Sequence, residues 1–154
     1  MHWILAPIFI VALGTAEPDV ADFRPVWRSA DQLIAVDVNS RVNDGGLVRA
    51  RYAHYFLGEG RDLQRDIWLV EVRGVQLLCQ DRMILFEDPV VYDRDLREIG
   101  RFRSPPNGWY GLEDGGVPGI RNAKLYEALC TSDDDVAPDG FSDLRAGFRL
   151  ITGR

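Results

Sequence analysis

The chain is poor in lysine, histidine and cysteine, and each scarcity closes off a class of function. Of its 18 basic residues only Lys124 is a lysine, and 24 acidic residues bring the formal net charge to −6 over 154 residues. Nucleic acid is therefore not an expected partner, because phosphate backbones are held by a basic stripe that this composition does not supply. The 2 histidines, His2 and His54, and the 2 cysteines, Cys79 and Cys130, stand too far apart for C-x-x-C or H-x-x-x-H metal spacing. The acidic run Asp133–Asp135 lacks the alternating oxygen ligands of a calcium loop, with Ala137 and Pro138 where ligands would fall, and reads as solvated surface. The glycines of "EDGGVPG" do not form G-x-G-x-x-G and run into Pro118, so no nucleotide site and no cofactor are expected.

Charge is also missing from the first 16 residues, "MHWILAPIFIVALGTA", which hold no Asp, Glu, Lys or Arg. An apolar core from Trp3 to Leu13, followed by Gly14 and Ala16 at the two small positions before a cut, predicts a signal peptide over 1–16 and a single domain over 17–154. The run is shorter than the roughly 20 residues that cross a bilayer and is interrupted by Pro7. No cysteine near the cut would take a lipid. The expected product is an exported chain, periplasmic or secreted, without a membrane span or lipid anchor. In an oxidising compartment two well-separated cysteines most simply form a disulfide, with reactive thiols or a metal pair as alternatives.

What is present is β-forming sequence and turn chemistry. A strand is expected over about Leu33 to Val38, and "NDGG" at 43–46 predicts a tight hairpin. In "LVRARYAHYFLG", Val48, Ala50, Tyr52 and Phe56 alternate with Arg49 and Arg51, the period of a half-buried strand. "DIWLVEVRGVQLLC" places Trp68, Val70 and Val72 on one parity but Val75, Leu77 and Cys79 on the other, which predicts a bulge or bend at Gly74. "RMILFED", apolar on both faces, reads as a central strand, and "PVVYDRDLREIGRF" as further strand with a turn near 93–95. The segment 103–119 is rich in proline and glycine and is expected to be irregular. "IRNAKLYEALC" follows as a helix whose Leu125/Leu129 and Tyr126/Cys130 pairs make one apolar stripe. Phe141, Leu144, Phe148 and Ile151 suggest a second helix, weakened by Gly147. The expected fold is α+β: an antiparallel meander of five or six strands with a C-terminal helix packed on it and tied by a Cys79–Cys130 disulfide.

Trp27, "AVDVNS", "LVRARYAHYF", a strand running into one cysteine, "RMILFEDPVVYD", "GWYGLEDGGVPG" and a last cysteine in "LYEALC" together resemble the bacterial surface-adhesin protein E family over roughly Trp27 to Cys130. The resemblance implies an antiparallel sheet with a helix tied to it by the same disulfide, and an envelope protein that binds extracellular-matrix ligands. The chain departs from the family in lacking a lipid-attachment cysteine and lysine-rich contact surfaces.

The expected function is thus a non-enzymatic envelope binding or adhesion-like module. A patch of Arg49, Arg51, Tyr55 and Arg73 would meet a protein partner, and a sheet edge could pair into a homodimer. The competing expectation is an exported enzyme in which His54 activates Cys79 as a nucleophile.

Overall fold

The computed structural model of the chain describes residues 20–59, 66–103, 108–112, 119–131, 137 and 139–153. The predicted signal peptide, the acidic run at 133–135 and much of the Pro/Gly-rich segment at 103–119 lie outside them. In chain order the elements are β1 (Phe23–Arg28), β2 (Gln32–Asp44), β3 (Leu47–Glu59), β4 (Asp66–Leu78), β5 (Met83–Phe86), β6 (Val90–Asp93), β7 (Glu98–Arg101) and β8 (Tyr110–Gly111). Then come α1 (Gly119–Tyr126), which continues into a π-helical turn (Glu127–Thr131), and α2 (Leu144–Thr152).

The strands form one antiparallel sheet of 8, ordered β1-β2-β3-β4-β5-β8, with β6 also on β4 and β7 on β6. Strands β1 to β4 are a meander, and the outer edge of β4 is divided: Val75–Leu78 pairs with β5 and Leu69–Val72 with β6. The strand count exceeds the five or six expected because β1 and the two-residue β8 escaped the sequence pattern. In β1, Pro25 cannot donate to a ladder and the register shifts between Pro25 and Trp27, so an edge position is the one place such a strand fits. The "NDGG" hairpin is as expected: Asp44 pairs with Leu47 around Gly45 and Gly46, whose φ values of 59° and 95° a side chain would resist.

Gly74 is not a bulge. The β3–β4 register runs unbroken from Leu47↔Leu78 to Glu59↔Asp66. The apolar parity flips because the sheet is covered on opposite faces at its two ends. On the first face, Ile34, Val36, Val48, Ala50, Tyr52, Val75, Leu77 and Ile84 pack under Leu125, Ala128 and Leu129 of α1 and its π turn. On the second, Leu33, Ala35, Ala53, Tyr55 and Val70 pack with Phe23, Phe141 and the α2 residues Phe148 and Ile151. Gly74 makes room for Glu87, whose carboxylate a Cβ there would overlap, while Glu87 N–H donates to the Gly74 carbonyl at 2.9 Å.

The two helices are held by different devices. Cys130, on the π turn, is bonded to Cys79 at the end of β4, with Cα atoms 5.5 Å apart. The helix predicted through Cys130 therefore stays α-helical only to Tyr126, whose hydroxyl donates to the Cys79 carbonyl at 2.9 Å. Arg41 Nη2 donates to the Leu129 carbonyl at 3.0 Å, satisfying an acceptor that the helix end leaves open. For α2, Asp143 accepts from Arg145 N–H at 2.9 Å as N-cap, and Gly153 closes the C-terminus in the left-handed region. Phe141 precedes this helix and forms a two-way backbone bridge with Phe23, 2.8 Å in each direction.

Candidate functional site

Among the described residues, the first face of the sheet is only partly roofed. Cross-strand register puts Gln32, His54, Phe56 and Glu71 on it, beyond the part that α1 covers. These four, unlike Val48, Ala50 and Tyr52 further along, remain partly exposed, so they form a ledge at the side of α1. Two arginines flank it. Arg73 lies opposite Tyr52 in the ladder, pairs with Glu71 at 3.3 Å, donates through Nε to the Glu87 carbonyl at 2.6 Å and stacks 4.9 Å from the Phe86 centroid. Arg121, from the first turn of α1, sits 4.7 Å from the same centroid, so both guanidinium groups use one ring as a platform.

The electrostatics follow from this crowding. Arg121 Nε is buried and has no hydrogen-bond partner among the described residues. His54 stands between Gln32, whose Oε1 is 3.1 Å from Nε2, and the Phe56 ring at 5.2 Å. Burial first, and then the positive charge of Arg121, lowers its pKa to about 4, so the imidazole is neutral over the physiological range. Tyr52 is fully buried, in edge contact with Phe86 at 6.0 Å, and desolvation pushes its hydroxyl up to about 12, with Glu71 adding to the rise and Arg121 opposing it. The arrangement can receive a group bearing negative charge.

The patch expected from sequence is not assembled. Arg49 and Arg51 lie across from Gln76 and Gly74 on the second face, whereas Arg73 pairs with Tyr52 on the first. Tyr55 shares the parity of Arg49 and Arg51 but is fully buried beneath α2, its hydroxyl donating to the Leu144 carbonyl at 3.0 Å. Burial, with Asp143 nearby, drives the Tyr55 pKa well above the tyrosine range. Arg51 is itself occupied: its Nε and Nη2 donate to Asp37 at 3.2 and 2.5 Å, and Asp37, fully buried, accepts from Asp22 N–H at 3.0 Å through its other oxygen. This is a clamp tying β1 and β3 to β2.

The Cys79 and His54 pairing fails on position as well as chemistry. Cys79 is disulfide-bonded, and the ladder places Leu78 opposite Leu47 but Glu71 opposite His54. At about 3.3 Å per residue the two side chains are separated by more than about 20 Å. Arg121, Gln32 and Phe86 are the ledge residues that sequence reasoning missed. Arg121 reaches β3 and β4 only through tertiary packing, and no local pattern announces it.

Among the described residues no group of three or more His, Cys, Asp or Glu gathers as a metal site, and no helix is long and apolar enough to cross a membrane. No protein-family model, characterised protein or solved structure matches the chain.

Proposed function

We propose that the protein is an exported binding module of the cell envelope, adhesion-like in role, and not an enzyme built on Cys79. The observation that supports this reading most is the commitment of Cys79 to the Cys130 disulfide, which removes the nucleophile on which the competing reading depends. A disulfide at this position also suits an oxidising compartment, in keeping with the leader-like first 16 residues. The partly exposed Arg and aromatic ledge supplies a surface of the composition that protein and ligand interfaces favour.

Two measurements test the proposal. Thiol titration of the protein as purified, unfolded under non-reducing conditions, is expected to find no reactive thiol; two would restore the enzyme reading. Immobilised oxidised protein is then presented with purified matrix and envelope proteins, and saturable binding to at least one is expected. Arg121→Gln is the surface control, because Arg51→Glu would place a carboxylate against buried Asp37 and damage the fold. Absence of saturable binding across the panel, or substrate turnover that alkylation of Cys79 abolishes, would remove the binding-module reading.

A further inference from the structure

We propose that the ledge formed by Arg121, Phe86, His54, Phe56 and Gln32 is a binding site for an apolar carboxylate, its head received by the Arg121 guanidinium and its body laid against the His54 and Phe56 rings. The proposal deepens the binding-module reading and rests on it. Its starting point is an imbalance. The two guanidinium groups of Arg73 and Arg121 share the Phe86 ring and so lie within about 10 Å of each other. Glu71, the carboxylate on this part of the sheet, is engaged by Arg73 at 3.3 Å. Arg121 has no ion pair among the described residues, and its buried Nε lacks even a neutral acceptor. The Phe86 ring offsets only part of the hydration lost by a cation held in this way, and an incoming anion supplies the rest.

Three features select a carboxylate with an apolar body over a bare inorganic anion. The guanidinium is planar and matches a carboxylate in forked pairing. Next to it, His54 and Phe56 present a tilted pair of rings 5.2 Å apart on a partly exposed strand face, a surface with apolar area to cover. Gln32, held at 3.1 Å from His54, adds an amide that can donate to a second oxygen. With His54 kept neutral by burial and by the nearby charge of Arg121, an anion bound beside them would draw the imidazole back toward protonation.

The test uses the full oxidised chain and phenylacetate as probe, with phenylacetamide and inorganic phosphate as comparisons. Binding is followed by two nuclear magnetic resonance signals, the Arg121 Nε–H cross-peak, identified by its loss in Arg121→Gln, and the His54 ring titration. Phenylacetate is expected to shift the Arg121 signal saturably with millimolar affinity, the scale for a ligand of about ten heavy atoms, and to move the His54 midpoint upward. Arg121→Gln and Arg121→Lys should each weaken binding about tenfold or more, the loss of a charge-assisted forked pair, while their backbone amide spectra stay native. A tetrapeptide ending in phenylalanine is the source arm: tighter binding than phenylacetate assigns the site to a polypeptide C-terminus, and weaker binding to a free organic acid. Equal binding of phenylacetamide, equal binding of phosphate, undiminished binding by both Arg121 variants, or no shift at all would each overturn the proposal. Because no protein partner is involved, these results are independent of the matrix panel.

Discussion

Replacing Gly147 with alanine should destabilise the protein, although helix propensity alone predicts the reverse. In an exposed helix interior the change gains about 1 kcal/mol. Here Gly147 is buried on α2 where it passes over Tyr55, and a Cβ would overlap the ring carbon bearing the hydroxyl and the hydroxyl oxygen itself. Tyr55 cannot retreat: it is fully buried, in edge contact with Phe148 at 5.0 Å and Phe141 at 6.2 Å, and its hydroxyl is committed to the Leu144 carbonyl at 3.0 Å. Overpacking of this kind costs about 1–3 kcal/mol, and loss of the hydroxyl's bond in a buried site about 1–3 kcal/mol more. Set against the propensity gain, the expected net loss is about 1–5 kcal/mol. Urea denaturation measures it directly, and thermal melting should show a fall of about 3–5 °C for each kcal/mol in a chain of this size. Tyr55→Phe removes the hydroxyl oxygen, one of the two atoms overlapped, together with the bond it makes, so the Gly147→Ala penalty should shrink by about 1 kcal/mol in the double variant while the overlap with the ring carbon persists. A Gly147→Ala protein as stable as the parent, or more so, would refute the close approach.

Three further outcomes are expected. Replacing Cys79 and Cys130 together with serine removes a cross-link spanning 51 residues and should lower stability by about 4 kcal/mol, read from urea midpoints of the variant and the oxidised parent. Arg51→Ala leaves fully buried Asp37 without its cation and should cost about 1–3 kcal/mol, the scale for a buried acceptor losing its partner when the partner is itself half exposed, whereas Arg49→Ala should change stability by less than about 0.5 kcal/mol; similar losses at the two would discount the clamp. The folded pKa of His54 is depressed to about 4 from 6.5, so the unfolded chain takes up its proton first as pH falls, and the contribution of His54 is intact above 6.5 and lost between there and 4. Denaturation at pH 7 and pH 4 should show the parent losing roughly 2–4 kcal/mol more than His54→Gln over that interval, and equal losses would mean that His54 is not desolvated.

How far the fold was legible in sequence is best judged on β3 and β4. Alternation identified both as strands, "NDGG" fixed the hairpin, and an apolar stripe set Cys130 on a helix facing the sheet, where it meets Cys79. The ledge was invisible because Arg121 comes to His54 from 67 positions away in the chain, brought by packing that local periodicity does not encode. The parity flip was visible but assigned to the wrong cause. A bulge inserts a residue into one strand and changes parity there while its partner continues undisturbed. Here β3 changes face between Tyr52 and Ala53, and β4 changes between Val72 and Val75, on rungs the register places side by side: Tyr52↔Arg73 and Ala53↔Val72. In β2 the same level is the uninterrupted buried run from Leu33 to Asp37, where both covers meet. A flip shared by adjacent strands at one level belongs to the layers above and below the sheet. Comparing strands rung by rung, instead of each alone, would have separated the two causes before any coordinates were known.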